Sequence, residues 1–428
     1  MDELRPDGRR RTVSGGPLEG KPFEVWGYEV WHAWQQVRDN KGAPGVDGQS
    51  IAAFEERLED NLYKVWNRMS AGSYMPPPVR AVEVPKAGGT RTLGVPTIAD
   101  RVAQTVAAHR IGVVTEGFFH RDSYGYRPGR GAHDALAVAR RRCWDYDWVV
   151  DLDVEKFFDS VPWDLVVKSV ERLDLPPWVL LYVKRWLAAP VRMPDGQVVA
   201  RDRGTPQGSA VSPVLANLFL HWAFDDWMDR NFPDCPFERY ADDAVIHCKT
   251  EARARQVLAA LEQRMGEAGL RLHPAKTRIV YCKDANRRGP WDGPVSFDFL
   301  GYTFRPRQTQ GKNGRFTGFD LAASPKAVKR MSEAVAGWQL HRHVTLTWEQ
   351  LTTWIGPVIR GWMAYYGRYR KSGLYCLLAR INHHIQEWVR AKYKRLRPIK
   401  AMLRAWNRIT AQNPGMLPHW QWVTGAWY

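Results

Sequence analysis

The sequence predicts an α+β chain, with strands and helices mixed up to about residue 304 and helices alone from 324 to about 410. Three observations predict it. Phe237-Glu238-Arg239-Tyr240-Ala241-Asp242-Asp243-Ala244-Val245-Ile246 reads as two short strands meeting at a tight turn that carries adjacent carboxylates. Trp148-Val149-Val150-Asp151-Leu152-Asp153 is a second apolar strand running into acidic residues. From Ser324 onward, apolar residues recur instead at helical spacing.

In chain order, residues up to about Gly20 are polar and rich in Gly and Arg, the composition of a mobile arm. Trp26, Val30, Trp34 and Val37 predict a helix, Lys41 to Gly48 a turn-rich loop, and Ser50 to Met69 a second helix. Together they form an N-terminal extension over 1–65. Val82 to Arg91 alternates around Gly88-Gly89 and predicts a hairpin. Ser123 to Arg130 opens a helix near Ala132, and another begins near Pro162. Arg203 to Pro213 is a loop entering an apolar helix, with Ser212 as its cap and Pro213 at its first position. Glu251 to Gly269 is an amphipathic helix, and Leu270 to Val280 a strand–turn–strand. The strand region spans 66–304, a polar Gly-containing linker 305–323, the helical domain 324–410, and a short tail 411–428.

Net charge is +17, and its placement is informative. Gly356 to Thr410 holds thirteen Lys or Arg against one acidic residue, Glu387, so about +12 of the surplus lies there and points to a polyanionic partner. Trp388, Val389, Tyr393 and Leu396 make a packing face, while Lys392, Lys394, Arg395 and Arg397 lie mostly away from it, a pattern suited to phosphate. The five cysteines are scattered without a C-x-x-C pair, which argues against zinc and against a disulfide framework. No apolar run approaches the roughly 18 residues of a membrane helix. The N-terminus mixes acids with its arginines, unlike a signal peptide. The chain therefore reads as cytoplasmic, with no membrane partner.

Adjacent carboxylates at an apolar hairpin repel one another unless a cation holds them, and hard divalent cations take oxygen ligands. One Asp-Asp turn alone reads as a solvated surface. Two strand-borne acidic sites in one chain point instead to a shared metal pair, spaced about 3.5–4 Å for phosphoryl transfer.

Tyr240-Ala241-Asp242-Asp243 resembles the YxDD box of reverse transcriptases, and the Asp153 stretch resembles the first catalytic box of the same palm. Over nearly the whole chain, the order and length of the motifs are similar to group II intron-encoded reverse transcriptase/maturase proteins. The resemblance implies a right-hand polymerase, with fingers and an antiparallel palm sheet, followed by a helical thumb that doubles as the maturase domain. It implies RNA-directed DNA synthesis with two Mg²⁺ ions, or Mn²⁺, held by Asp153, Asp242 and Asp243. Asp151, on the same strand face, is the rival for Asp153's role. The resemblance places Lys86 and Arg91 on the nucleotide triphosphate and Gln207 against its sugar. Phe158 falls beneath that sugar, Lys276 beside the triphosphate or metal, and Arg127 and Arg130 on template phosphates. The expected partners are group II intron RNA, an RNA template with a DNA primer, dNTPs and a DNA target. The tail after Thr410 shows no His/Asn/Cys cluster resembling the nuclease domain of some relatives.

Two other readings compete. A splicing-only maturase with a lapsed polymerase is opposed by the intact Asp153, Asp242, Asp243 and Gln207. A related enzyme domesticated for CRISPR or phage defence is opposed by the maturase-like Ile355 to Gly367. The register around Phe158 makes a prediction of its own. A bulky ring beneath the sugar leaves no room for a 2′-hydroxyl, so Phe158→Ala or Phe158→Val should raise ribonucleotide incorporation relative to deoxynucleotide. Single-nucleotide kinetics test this, and an unchanged ratio would mean the register is wrong.

Overall fold

The computed structural model describes residues 16–86, 89–287, 289–311 and 314–426. The expected arm up to Gly20 therefore lies largely outside the described residues. Two compact units emerge, one made of residues up to Ala139 with Val150–Arg278, the other of Arg140–Val149 with residues from Ile279 onward. No helix among the described residues is long and apolar enough to cross a membrane.

The first unit opens with helices Gly27–Asp39, Ile51–Glu55 and Leu58–Ser70. The single helix expected from Ser50 to Met69 is thus two. Ser50 caps the first, its Oγ accepting from the Ala53 N–H at 3.1 Å, and the chain breaks at Arg57 (φ −131, ψ 46) before restarting. Trp34 stacks on Phe54 across this extension with ring centroids 5.0 Å apart. The expected hairpin forms from Val79–Lys86 and Gly89–Val95, antiparallel from Arg80↔Val95 to Lys86↔Gly89. Short strands Val191–Arg192 and Val198–Val199 extend its sheet.

Helix Ile98–Glu116 follows, capped by the Thr97 hydroxyl, which accepts from the Asp100 N–H at 3.2 Å. Asp100 is buried at its first turn. The carboxylate accepts from Tyr74 Oη (3.0 Å), Trp186 Nε1 (2.8 Å) and Gln104 Nε2 (2.8 Å). Gln104 in turn accepts from Ser209 Oγ at 2.7 Å and the Ala210 N–H at 2.8 Å, tying this helix to the loop that carries Gln207. That loop enters helix Ser212–Leu220, but Ser212 is not its cap. Its Oγ donates to the Pro206 carbonyl at 3.0 Å, because the loop folds back on itself before the helix begins.

The acidic residues ride on a four-stranded sheet of order Phe237–Tyr240, Asp243–Cys248, Trp148–Leu152, Arg278–Tyr281. In the second unit the 305–323 segment is not a linker. Strands Tyr302–Gly311 and Gly314–Ala323 pair antiparallel through their whole length, with Phe297–Phe299 alongside. Phe304, Phe319 and Leu321 are buried on one face of these strands, and at the same end Thr303 and Asp320 on the other face are buried as well. Asp320 accepts two bonds from Arg140, at 2.8 and 3.1 Å.

Helices Pro325–Gly337, Trp348–Tyr366, Tyr375–Lys392 and Ile399–Gln412 complete this unit around a core that includes Leu351, Ile355, Leu378, Ile385 and Trp388. Tyr365, Tyr366 and Tyr369 gather around Tyr302, with ring centroids 5.5–5.7 Å apart.

Burial raises the Asp100 carboxyl to about 6, against the hydrogen bonds from Trp186, Tyr74 and Gln104 that favour its charge. A carboxyl raised on folding adds stability below its unfolded value of 3.8, and that contribution is lost as pH rises through about 6. Asp100→Asn carries no charge to bury. The stability difference between variant and wild type should therefore move in the variant's favour, by at most about 3 kcal/mol, between pH 4 and pH 7.5. Urea denaturation of both proteins at the two pH values measures it, and a pH-independent difference would contradict the assignment.

Candidate active site

The strands Phe237–Tyr240 and Asp243–Cys248 pair in the register Phe237↔Ile246 to Tyr240↔Asp243, which leaves Ala241 and Asp242 as a two-residue turn. Ala241 has φ +57, a left-handed conformation that costs a non-glycine residue about 1 kcal/mol. The surroundings hold it there. Gly125 lies so close that a Cβ at that position would come within 2.4 Å of the Ala241 nitrogen. Arg239, buried directly under the turn, donates to the Ala241 carbonyl at 2.9 Å. The sequence gives Arg239 no role, because an arginine in a short strand reads as a surface charge.

Asp153 stands just past strand Trp148–Leu152, and its backbone is fixed by the turn at His273–Thr277. The His273 N–H donates to the Asp153 carbonyl at 2.8 Å, and Thr277 Oγ1 lies 3.2 Å from the same oxygen. Lys276, from that turn, places its ammonium 3.0 Å from Asp153 Oδ2 and 3.4 Å from Oδ1. Asp151, two residues earlier, is paired with Arg278 at 3.2 Å.

The carboxylates feel one another. Burial raises the Asp242 carboxyl above its ordinary value, and Asp153 adds to that push. Asp243 is pushed up to about 7, first by the protein packed around it, then by the charges of Asp242, Asp153 and Asp151, with Lys276 opposing. The Asp243 residue is nevertheless open to solvent, which screens this repulsion and reduces its cost to stability. Among the described residues, no three His, Cys, Asp or Glu side chains are gathered tightly enough to cage an ion. The donor chemistry does suit one: these are hard oxygen ligands whose mutual repulsion a divalent cation would relieve. Tyr126, with φ +57 and a hydroxyl raised by burial and by Asp242, also borders the pair and was not singled out from the sequence.

A second group assembles beside the acidic pair. Arg91 donates to Gln207 Oε1, and the Gly94 N–H donates to the Gln207 carbonyl at 2.7 Å. Phe158 and Gln207 line one cavity of about 360 Å³, together with Thr92, Gly94, Arg201 and Thr205. Gly204 and Thr205 are stitched beneath it. The Thr205 N–H donates to the Phe158 carbonyl at 2.7 Å, and a Cβ at Gly204 would sit 2.7 Å from that same oxygen. Arg91, Phe158 and Gln207 are thus brought together from three segments, with Lys276 at Asp153. Lys86 ends its strand opposite Gly89, and its side chain lies outside the described residues.

The residues expected on RNA divide. Arg127 is buried, with four of its N–H groups donating to both Glu116 oxygens (3.0 and 2.7 Å) and to the His120 and Ser123 carbonyls (both 2.7 Å). This corrects its reading as a template contact, since the side chain is only 2% exposed and its charge is already paired with Glu116. Arg130 keeps about a third of its side chain exposed and donates to the Arg121 carbonyl. Lys392 is the last residue of its helix and folds inward, giving its ammonium to the Val344 and Leu346 carbonyls at 2.9 and 2.5 Å over the Trp388 ring. It too is removed from the free cations. The helix stops there, so Lys394, Arg395 and Arg397 project from an exposed 3₁₀ turn and its edge rather than from a helix face.

Against this geometry, two family profiles match the chain. One, described as reverse transcriptase (RNA-dependent DNA polymerase), covers residues 84–304, and the other, described as group II intron, maturase-specific domain, covers 328–406. Protein YkfC of Escherichia coli (strain K12) is 29% identical over 290 residues, 57% of this chain and 74% of that protein. Group II intron-encoded protein LtrA of Lactococcus lactis subsp. cremoris is 30% identical over 195 residues, 44% of this chain. The matched region spans only 32% of LtrA. Among solved structures, telomerase from Candida albicans in complex with a fragment of telomeric RNA aligns with a TM-score of 0.46 and 11% identity, over 87% of this chain and 69% of that one.

Proposed function

The chain belongs to the family of group II intron-encoded reverse transcriptase/maturase proteins, and from that membership we propose that it copies RNA into DNA by nucleotidyl transfer and binds its intron RNA to assist splicing and mobility. The observation that supports the reading is that Asp153, just past one strand, raises the carboxyls of Asp242 and Asp243, at the turn between two other strands of the same sheet, with Phe158 and Gln207 lining a cavity in the same unit.

In the reaction a primer 3′-hydroxyl attacks the α-phosphorus of a dNTP in line. An O–P bond forms, the bond to the bridging oxygen breaks, and pyrophosphate leaves. Asp153, Asp242 and Asp243 are the residues to hold divalent ions, Mg²⁺ or Mn²⁺, with Asp153 preferred over Asp151 because it puts Phe157-Phe158-Asp159 in the family's register and because both Asp242 and Asp243 feel its charge. When bound, such ions lower the hydroxyl's pKa and neutralise charge on the leaving pyrophosphate. Arg91 offers a forked, permanently charged contact to the triphosphate, and Lys86 a point charge. Gln207, which accepts a hydrogen bond from Arg91, is the residue to meet the sugar. Phe158 closes the floor of the pocket against a 2′-hydroxyl. Lys276 balances the carboxylate charge at Asp153.

Asp242→Asn should abolish dNTP incorporation on an annealed primer–template while circular dichroism and Tm stay near wild type. Undiminished extension by that variant would sink the assignment. The RNA-binding part of the proposal rests on the exposed basic turn and is tested separately. Changing Lys394, Arg395 and Arg397 together to Gln should weaken intron RNA binding and flatten its log–log salt dependence by about 2, at roughly 0.7 per phosphate contact. Extension of a short primer–template should fall far less, and assisted splicing the most. Equal losses of extension and splicing would leave the maturase role unsupported.

A further inference from the structure

Beneath the carboxylate turn lies a side chain whose every hydrogen bond is committed to holding it. Arg239 is 1% exposed. Its five N–H groups meet five acceptors. Nε donates to Asp225 Oδ1 at 2.7 Å, and Nη2 donates to Asp225 Oδ2 at 2.6 Å and to Ser123 Oγ at 2.8 Å. Nη1 donates to Asn217 Oδ1 at 3.0 Å and to the Ala241 carbonyl at 2.9 Å. A guanidinium is a rigid planar fork, so four of these bonds dictate where the fifth points.

The three residues that accept these four bonds are themselves fixed. Asp225 is wholly buried and ends a π-helical turn, His221–Asp225. Asn217 Nδ2 donates to the Gly125 carbonyl at 2.6 Å, within the segment that lies against the turn. Ser123 belongs to the same segment. The Arg239 main chain joins it too, its N–H donating to the Asp122 carbonyl at 2.9 Å and its carbonyl accepting from the Tyr124 N–H at 2.8 Å. The oxygen that receives the fifth bond lies in the peptide plane that ends at the Asp242 nitrogen. Fixing that oxygen fixes the plane from which the Asp242 side chain departs.

We propose that Arg239 is a positioning residue that, by binding the Ala241 carbonyl, sets Asp242 and Asp243 at the separation from Asp153 at which the three carboxylates share divalent cations. The proposal rests on the polymerase reading for its effect on catalysis but not for its effect on cation binding. The competing role is that of an ordinary core ion pair, whose loss matters only because a charge is left buried alone.

The double substitution Arg239→Met with Asp225→Leu separates the two roles. It removes both charges and fills the space with apolar side chains, so the fold is relieved of an unpaired ion while the bond to Ala241 is gone. In the full chain, free Mn²⁺ is counted by electron paramagnetic resonance without nucleotide, and single-nucleotide incorporation is followed on a primer–template. Positioning predicts a cooperative melt, Mn²⁺ affinity weaker by about 10-fold, and kcat lower by about 100-fold. KM for dNTP should stay within about threefold, since the triphosphate contacts are elsewhere. Asn217→Ala, which removes one neutral anchor, should lower Mn²⁺ affinity and kcat in the same direction by a smaller factor.

A folded double variant with wild-type Mn²⁺ affinity and kcat would overturn the proposal. Should the double variant not fold, unchanged Mn²⁺ affinity and kcat in Asn217→Ala would overturn it equally. A wild-type protein that binds Mn²⁺ yet extends no primer would defeat the polymerase reading instead, leaving the Mn²⁺ comparison to decide the role of Arg239.

Discussion

The architecture of the first unit answers to like-charge repulsion. Asp153 raises the carboxyls of Asp242 and Asp243, and nothing about carboxylates favours that proximity. Their approach is enforced by backbone: a two-residue turn with Ala241 in a left-handed conformation, and a loop at His273–Thr277 that grips the main chain of Asp153. Positive charge then reaches the cluster from two directions, Lys276 onto Asp153 and Arg239 beneath Ala241. The fold carries part of the cost of that assembly in buried Arg239, whose five N–H groups all meet acceptors.

The same logic orders the neighbouring pocket. Gln207 sits on an irregular loop, where a functional amide would ordinarily be poorly located. The loop is anchored at both ends, through Gly204 and Thr205 to the backbone of Phe158, and through Ser209 and Ala210 to Gln104, which is itself bonded to buried Asp100. A polar network that starts at the first turn of a helix thus ends by stiffening a site residue. Such networks are worth having only when every member is satisfied, and here Asp100 takes three donors while Gln104 serves both sides.

How much of this was legible depended on the range over which each signal acts. Turn chemistry and strand alternation are local, so the acidic hairpin, the Val79–Val95 hairpin and the helix after Ser324 could be read directly from residue types. The helix break at Arg57 was missed because good helix formers flank it on both sides, and the strands at 305–323 because polar, half-exposed strands resemble loops in composition. Charges misled most. Arg127 and Lys392 look like free cations in sequence, yet one is paired with Glu116 and the other rests on carbonyls some 46 residues earlier in the chain. Arg239 was the reverse case. Its anchors lie at Ser123, Asn217 and Asp225, and nothing in the hairpin itself announces that they converge.

The π-helical turn at His221–Asp225 bears on how this chain tolerates change in length. Asn217 and Asp225 are eight residues apart, and an unbroken α-helix advancing about 100° per residue would leave them about 80° out of phase. One extra residue in a single turn slips the phase by about that amount and lets both side chains face the same guanidinium. The helix therefore behaves like a vernier with a fixed offset. Substitutions on its outer side leave the offset alone, but an insertion or deletion of one residue between Asn217 and Asp225 would swing the carboxylate away from Arg239. In this segment the number of residues is constrained more tightly than most of their identities.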